Sequence, residues 1–404
     1  MSLYEDLKWR GLIKDVAGEN LKDLLDGEPI TFYWGTDPTA DSLHIGHYSS
    51  LVTAKRLANY GHHPLLLCGG ATGRIGDPRP TAEREILANE VIENNISHIK
   101  AQINKLFDGK AEIVDNYDWT KDYTFLEFLR DIGKYINVNY MLNKDIISRR
   151  LETGITYAEF SYTLLQGYDF LYLYEHKNCV LQVEGSDQWG NITTGIELIK
   201  KKLNKEAYGF TMPLILDANG NKFGKSAGNA LWLDETKTSP YEIYQYLINA
   251  EDSKVLEYLK VFTFLTKEEI EDIMVKQNAA PHLRIAQKTL AFEVVKDIHG
   301  EDAALLAKKT SEDIFSNRGN SENTFKKVLD KNLIVNGINI LDLLVLTDMF
   351  DSKSDARRMV EQNAVSINNK KVTDKNVIIT IDDLENNELL VQKGKKNFLK
   401  LIFE

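Results

Sequence analysis

The run Gly35-Thr36-Asp37-Pro38-Thr39-Ala40-Asp41-Ser42-Leu43-His44-Ile45-Gly46-His47 places two histidines at the mouth of a helical stretch, behind a loop bearing Gly, Thr and Asp. A helix N-terminus offers unpaired N–H groups and positive potential, so such a loop suits a phosphate. Gly46, lacking Cβ, lets a flat group approach the backbone. His44 and His47 share a helical face, but no Cys, and no Glu at suitable spacing, completes a ligand set, so no metal site is expected. Alone, this HxGH pattern also reads as two histidines that cap a helix. Far downstream, Lys222-Phe223-Gly224-Lys225-Ser226 gathers two lysines and a hydroxyl around a glycine. Those groups can spread the charge that develops on a leaving pyrophosphate. Alone, they also read as a solvated turn.

The elements around these residues alternate. A β-rich run, Ile30 to Trp34, precedes a helical stretch from Ile45 to Tyr60 that stops at Gly61. Leu65 to Cys68 precedes another long helical stretch, and Val180 to Val183 precedes a third, Asp187 to Leu203. Such alternation implies parallel pairing through right-handed crossovers, with ligands outside the carboxyl ends of the strands. The polar clusters follow those same strands. In Tyr157 to Glu175, Tyr162, Gln166 and Asp169 fall at i, i+4 and i+7, on one helical face. Leu164, Leu165, Phe170, Leu171 and Leu173 make the rest of that helix apolar, so the polar stripe is expected to line a buried pocket.

The HIGH quartet after the first strand and KFGKS after the last, in one α/β unit, form a far more specific combination than either alone. On these residues the sequence resembles the class I aminoacyl-tRNA synthetases. Further residues narrow the resemblance: Tyr33, the run Ala71 to Pro78, the stripe Tyr162, Gln166 and Asp169, and Val183-Glu184-Gly185-Ser186-Asp187-Gln188-Trp189-Gly190-Asn191. From about residue 30 to the C-terminus the chain is similar to the bacterial-type tyrosyl-tRNA synthetases. That resemblance implies that Tyr33 and Asp169 hydrogen-bond the substrate phenol. It implies that Asp77, Tyr162 and Gln166 hold the α-ammonium group, and that Gln182 sits near the substrate carboxylate and the α-phosphate. Gly35, Asp37, Gly185, Asp187 and Gln188 would frame the ribose and the tyrosyl group, with Gly46 in the ATP loop. Thr39, His44 and His47 would meet ATP, and Lys222, Lys225 and Ser226 would close over its pyrophosphate. Trp34 stands where the family often has a small residue. After Asp77-Pro78 many relatives continue Ser-Gly-Lys; here Arg79 or Arg84 would have to supply that charge. The implied activity is tyrosine–tRNA ligation, with L-tyrosine, ATP accompanied by Mg²⁺, and tRNA(Tyr) as partners, and a homodimer as the assembly. Two neighbouring readings share features with it: tryptophanyl-tRNA synthetase, and a non-catalytic RNA-binding relative. A small-molecule adenylyltransferase can also carry HxGH, but the downstream regions argue against it.

Composition agrees with a multidomain soluble enzyme. The chain has 404 residues, 43% apolar and 27% charged, ordinary for globular protein. Its longest apolar runs fall far short of the ~20 residues that cross a bilayer. The N-terminus lacks the apolar core of a signal peptide, so a cytoplasmic protein without membrane partners is expected. Cys68 and Cys179 form no CxxC pair and read as buried thiols. The net charge of −11 resides wholly in residues 1–330, because residues 331–404 carry 11 basic and 11 acidic groups. The tail gathers positive charge at Arg357, Arg358, Lys370, Lys371, Lys393, Lys395, Lys396 and Lys400, a footprint suited to RNA, although a charge run also reads as merely solvated. Residues 352–360 and 365–368 resemble an S4-type RNA-binding domain. The expected organisation is an α/β, Rossmann-like parallel-sheet catalytic domain over 1–225, an all-helical domain on the anticodon side over 226–325, a linker over 326–337, and a small α+β S4-like domain over 338–404.

Overall fold

Six strands form the sheet that organises the first part of the chain: β1 (Val16–Ala17), β2 (Thr31–Thr36), β3 (His63–Cys68), β4 (Glu112–Asp115), β5 (Cys179–Gly185) and β6 (Tyr208–Met212), in the order β1-β6-β5-β2-β3-β4. The computed structural model describes residues 1–78, 86–226, 229–316, 326–335, 337–347, 349–350, 352–368, 370–385, 387–394 and 397–403. Every pairing in this sheet is parallel except that of β1 with β6. The central strands are largely apolar, as in sheets covered on both faces; Leu65, Leu66, Leu67, Leu181 and Val183 are all buried. Successive connections from β2 run outward through β3 to β4, whereas β5 returns to the other side of β2 and continues to β6. The order therefore reverses between β2 and β5, which is where such sheets open a crevice for ligands.

The helix Ile45–Asn59 follows β2, and Tyr157–Lys177 and Trp189–Leu203 flank β5. The last two pack closely because Gly167 lies against Thr194 and Gly195, and Gly195 against Phe170. After β6, a short hairpin of β7 (Lys225–Ser226) and β8 (Asn229–Ala230) leads into helices Pro240–Ile248, Val255–Phe262, Lys267–Ala279 and Ile285–His299. These helices belong with the sheet in one compact unit, Met1–Gly300. Buried Arg10 and Arg56 help fix them there. Arg10 donates to the carbonyls of Lys260, Thr263 and Leu265, and Arg56 to those of Lys260, Val261 and Thr263. The carbonyl-rich C-terminus of a helix is a natural partner for cations. Burial, then the neighbouring Arg10, pulls the Arg56 guanidinium down to about 9, with Asp6 opposing.

The second unit is Glu301–Glu404. It opens with helix Glu301–Ser316 and continues with β9 (Lys326–Leu329), β10 (Ile338–Asn339), β11 (Val365–Ile367), β12 (Lys370–Lys371), β13 (Ile378–Ile379), β14 (Glu388–Lys393) and β15 (Asn397–Phe403). Five of these strands make a sheet, β12-β11-β14-β15-β9, covered by helices Ile340–Val345 and Lys353–Glu361 around a core that includes Leu343, Leu344, Val360, Val365, Leu389, Val391 and Leu401. The division at residue 300 differs from the boundaries expected at 225, 325 and 337. The helices after β8 share their arginine and aromatic contacts with the sheet unit. Residues expected to link domains instead supply β9, an edge strand parallel to β15.

Candidate functional site

At the reversal of strand order, Tyr33 on β2 stands directly opposite Gln182 on β5. Both are buried, and Tyr33 meets the Phe170 ring edge-on at 5.4 Å. Burial, followed by the charges of Asp169 and Glu184, pushes the Tyr33 phenol well above its ordinary range. The Gln182 amide lies beside it, yet Tyr33 Oη and both Gln182 amide atoms complete no hydrogen bond of ordinary geometry among the described residues. Buried polar groups normally do. A ligand with a hydroxyl and a flat ring would meet that requirement.

Asp169 forms the adjoining wall. Its Oδ2 accepts from Asn116 Nδ2 at 2.9 Å and its Oδ1 from Trp119 Nε1 at 2.9 Å. Burial pushes its carboxyl up to about 7, while those two donors favour the ionised form. The network continues from Asn116 Nδ2 to Thr72 Oγ1, from Thr72 Oγ1 to Asp37 Oδ1 at 2.7 Å, and from Tyr162 Oη to Asp37 Oδ2 at 2.9 Å. Asp77 accepts from Gln188 Nε2 at 3.1 Å and Asn191 Nδ2 at 3.3 Å. Tyr162 is buried, whereas Gln166 on the same helical face is half-buried. The helix thus presents Asp169, Gln166 and Tyr162 in succession along one face, the two outer members buried.

On the β5 side, buried Glu184 accepts from the Gly35 amide, and burial pushes its carboxyl well above the usual range. Gly185 is constrained by its neighbour: a Cβ there would lie 2.7 Å from Asp187 Oδ1. Asp187 and Thr39 are exposed at the rim. Trp34, the unusual neighbour of Tyr33, points to the other face of the sheet, where its Nε1 donates to Ser50 Oγ of the Ile45–Asn59 helix at 2.9 Å.

The two histidines do cap that helix. His44 Nδ1 accepts from the amides of Gly46 and His47 at 3.0 and 3.3 Å, and His47 Nδ1 accepts from the His44 amide at 3.2 Å. With both Nδ1 atoms accepting, a neutral ring carries its proton on Nε2. The rings stack at 3.8 Å. The flat group that Gly46 admits is the His44 ring, which would lie within 2.9 Å of an added Cβ. The cap thus holds both imidazoles in register.

The KFGKS segment is brought against this helix. Leu231 donates to the Gly224 carbonyl, and Ile45 donates to the Leu231 carbonyl. Gly224 has φ +82°, and a Cβ there would strike Ile45 Cγ2 at 1.9 Å, so only glycine fits. Lys222 is exposed; only the backbone of Lys225 and Ser226 lies within the described part of the structure. Arg79 and Arg84 lie outside the described residues.

The fold unites Tyr33, Gly35, Asp37, Asp77, Tyr162, Asp169, Gln182, Gly185 and Gln188 around one crevice. Sequence reasoning missed Asn116, Trp119 and Thr72, which supply donors to Asp169 and Asp37. Asn116 and Trp119 follow the short strand β4, and their only sequence signal is that polar residues just beyond a parallel strand face the ligand side of the sheet.

A family model described as tRNA synthetases class I (W and Y) matches residues 25–316, and one described as a tyrosine–tRNA ligase SYY-like C-terminal domain matches residues 320–401. A tyrosine–tRNA ligase of Streptococcus mutans is 45% identical, covering 100% of both chains, and that of Streptococcus gordonii is 44% identical over the same extent. The chain belongs to the bacterial-type tyrosyl-tRNA synthetases. The solved structure of a C-terminally truncated Aspergillus nidulans mitochondrial tyrosyl-tRNA synthetase is 34% identical, with a TM-score of 0.69, covering 78% of this chain and 94% of that one. In this synthetase the tail's basic residues lie in the second unit. Arg357, Arg358, Lys370 and Lys371 are exposed, and Arg358 is paired with Asp355 at 2.6 Å. Lys393 also reaches Asp355, at 3.2 Å; Lys395 and Lys396 lie outside the described residues.

Proposed function

We propose that this chain joins L-tyrosine to ATP, giving tyrosyl-adenylate and pyrophosphate, and then transfers tyrosine to the 3′-terminal ribose of tRNA(Tyr). The observation that carries the reading is the buried Tyr33 and Asp169 pair, a hydroxyl and a carboxyl of the kinds that suit a phenol. Asp77, Tyr162 and Gln166 hold the α-ammonium group. Gln182, on the β5 wall beside the Tyr33 phenol, sits near the substrate carboxylate and the α-phosphate. Gly35, Asp37, Gly185, Asp187 and Gln188 frame the ribose and the tyrosyl group. Tyrosine's own carboxylate attacks the α-phosphorus, so no side chain forms a covalent intermediate; the protein contributes alignment and charge stabilisation. Thr39, His44, His47, Lys222, Lys225 and Ser226 stabilise the departing pyrophosphate. Mg²⁺ would accompany the nucleotide and would supply charge neutralisation at its phosphates.

Residues 1–225 carry the chemistry, the following helices the anticodon side, and the S4-like tail from 338 contributes Arg357, Arg358, Lys370 and Lys371 to RNA. The protein is read as a cytoplasmic homodimer, whose interface would cover exposed apolar side chains such as Phe125, Leu126, Val138 and Tyr157, at 67%, 75%, 59% and 65% exposure. The test is amino-acid-dependent exchange of pyrophosphate into ATP with tyrosine, tryptophan and phenylalanine. Exchange driven by tyrosine alone supports the reading. Exchange driven by tryptophan, or none at all, would place the chain with one of the neighbouring activities.

A further inference from the structure

Among the described residues, a polar contact ties the phosphate loop to the helices that follow it. Gly224, between Phe223 and the loop's second lysine, donates its amide to Tyr246 Oη at 3.0 Å. Tyr246 lies on helix Pro240–Ile248, outside the sheet and outside the crevice. Around this bond is an aromatic cluster. The Phe223 ring, buried, meets Tyr246 edge-on at 5.3 Å and packs on Tyr258 at 4.5 Å and Phe262 at 5.0 Å. Phe262 also stacks on Tyr48 of the Ile45–Asn59 helix at 6.1 Å. The same ring thus supports the helix that carries both histidines and the loop that carries both lysines. Aromatic packing fixes where the Phe223 ring sits, and backbone bonds hold the Phe223 amide and the Gly224 carbonyl, but none of these holds the Gly224 N–H, at a residue whose backbone is the least restricted of any. A directional hydrogen bond from that N–H limits this freedom.

We propose that Tyr246 is a positioning residue for adenylate formation: its hydroxyl holds the Gly224 amide, and through it sets the orientation from which Lys225 meets the phosphates. This rests on the assignment of KFGKS to pyrophosphate stabilisation. Tyr246 touches no substrate in this scheme, and tyrosine is held by residues on the far side of the sheet crevice. Loss of its hydroxyl therefore lowers the rate of the chemical step and leaves tyrosine affinity alone.

The experiment is a double-mutant cycle on the full-length chain with Tyr246→Phe, which keeps the ring and its packing, Lys225→Ala, and both together. Single-turnover formation of tyrosyl-adenylate gives the rate, tyrosine titration gives the dissociation constant, and thermal melting reports on the fold. Tyr246→Phe alone should slow adenylate formation about 3- to 10-fold, the range expected for one backbone-to-hydroxyl bond, with tyrosine affinity and melting temperature unchanged. On the Lys225→Ala background the further loss should vanish, because the positioned group is gone. An unchanged rate in Tyr246→Phe, an equal loss on both backgrounds, or a lowered melting temperature with weakened tyrosine binding would each overturn the assignment, the last two by giving Tyr246 a purely structural role. If Lys225→Ala itself forms adenylate at the wild-type rate, the reading of the loop fails. If Lys225→Ala is slow while Tyr246→Phe is normal, only the role of Tyr246 fails.

Discussion

Asp169 offers a perturbation whose size can be worked out from its surroundings. Its carboxyl is pushed from an ordinary value of 3.8 up to about 7 by burial, despite donors on both oxygens. A folded pKa above the unfolded one means that the fold disfavours the ionised form. Asp169 therefore costs nothing below about pH 4 and erodes stability as pH rises, until the loss levels off above about pH 7. Replacement by Asn keeps the shape and removes the titration. Between pH 5 and pH 8 the wild type should lose about 3 kcal/mol relative to Asp169→Asn, close to two units at ~1.4 kcal/mol each, since the rounding of the curve near pH 7 offsets what is added up to pH 8. The other ionisable groups are shared by the two proteins, so those not coupled to Asp169 cancel in the comparison. For a unit of this size the loss corresponds to a relative shift of roughly 5 °C in melting temperature, since unfolding entropy is about 2 cal/mol/K per residue. The assay is thermal melting of both proteins without substrate at several pH values. The same substitution should weaken tyrosine binding about 10- to 100-fold at pH 8, because a hydrogen bond to a charged acceptor is lost. Melting curves that stay parallel from pH 5 to pH 8 would refute the reasoning, for they would mean that Asp169 titrates normally and does not sit in the dry floor of the crevice.

Other expectations follow from the same geometry. Tyr33→Phe should narrow the preference for tyrosine over phenylalanine, measured as the ratio of kcat/KM values in pyrophosphate exchange; an unchanged ratio would put the phenol elsewhere. Lys225→Ala should slow adenylate formation by roughly 10² to 10³, by analogy with a missing oxyanion donor, with tyrosine affinity preserved; weaker tyrosine binding at a normal chemical rate would contradict it. In the tail, Arg357→Ala should flatten the salt dependence of tRNA binding by roughly 0.7 to 0.9 in log-log slope. Arg358→Ala should do less, since Asp355 already neutralises part of its charge. Equal, wild-type slopes for both variants would mean that these charges are only solvated.

Much of the scaffold was legible because its signals are local. The apolar run at Leu65 to Cys68 became β3, the periodic stretch beginning at Ile45 became the Ile45–Asn59 helix, and the stripe Tyr162, Gln166, Asp169 does lie along one helix with its deepest member buried. The α+β character expected over 338–404 agrees with helices Ile340–Val345 and Lys353–Glu361 and strands Val365–Ile367, Ile378–Ile379 and Asn397–Phe403. Strand β9 was not, since Lys326 to Leu329 has charge and little alternation, and only β15 beside it makes it a strand.

By itself the sequence determined which residue types are available and in what order: two histidines around a glycine, a loop with two lysines, a helical stripe ending in Asp169. Tertiary structure decided what those groups meet. The reversal of strand order between β2 and β5 sets Tyr33 against Gln182, though they are far apart in the chain. The fold brings Asn116 and Trp119 to Asp169, and Tyr246 to Gly224. Hydrogen bonds and desolvation depend on atoms a few ångströms away, whatever their separation along the chain, so the pKa of Asp169 and the anchoring of the phosphate loop exist only once the chain has closed around them.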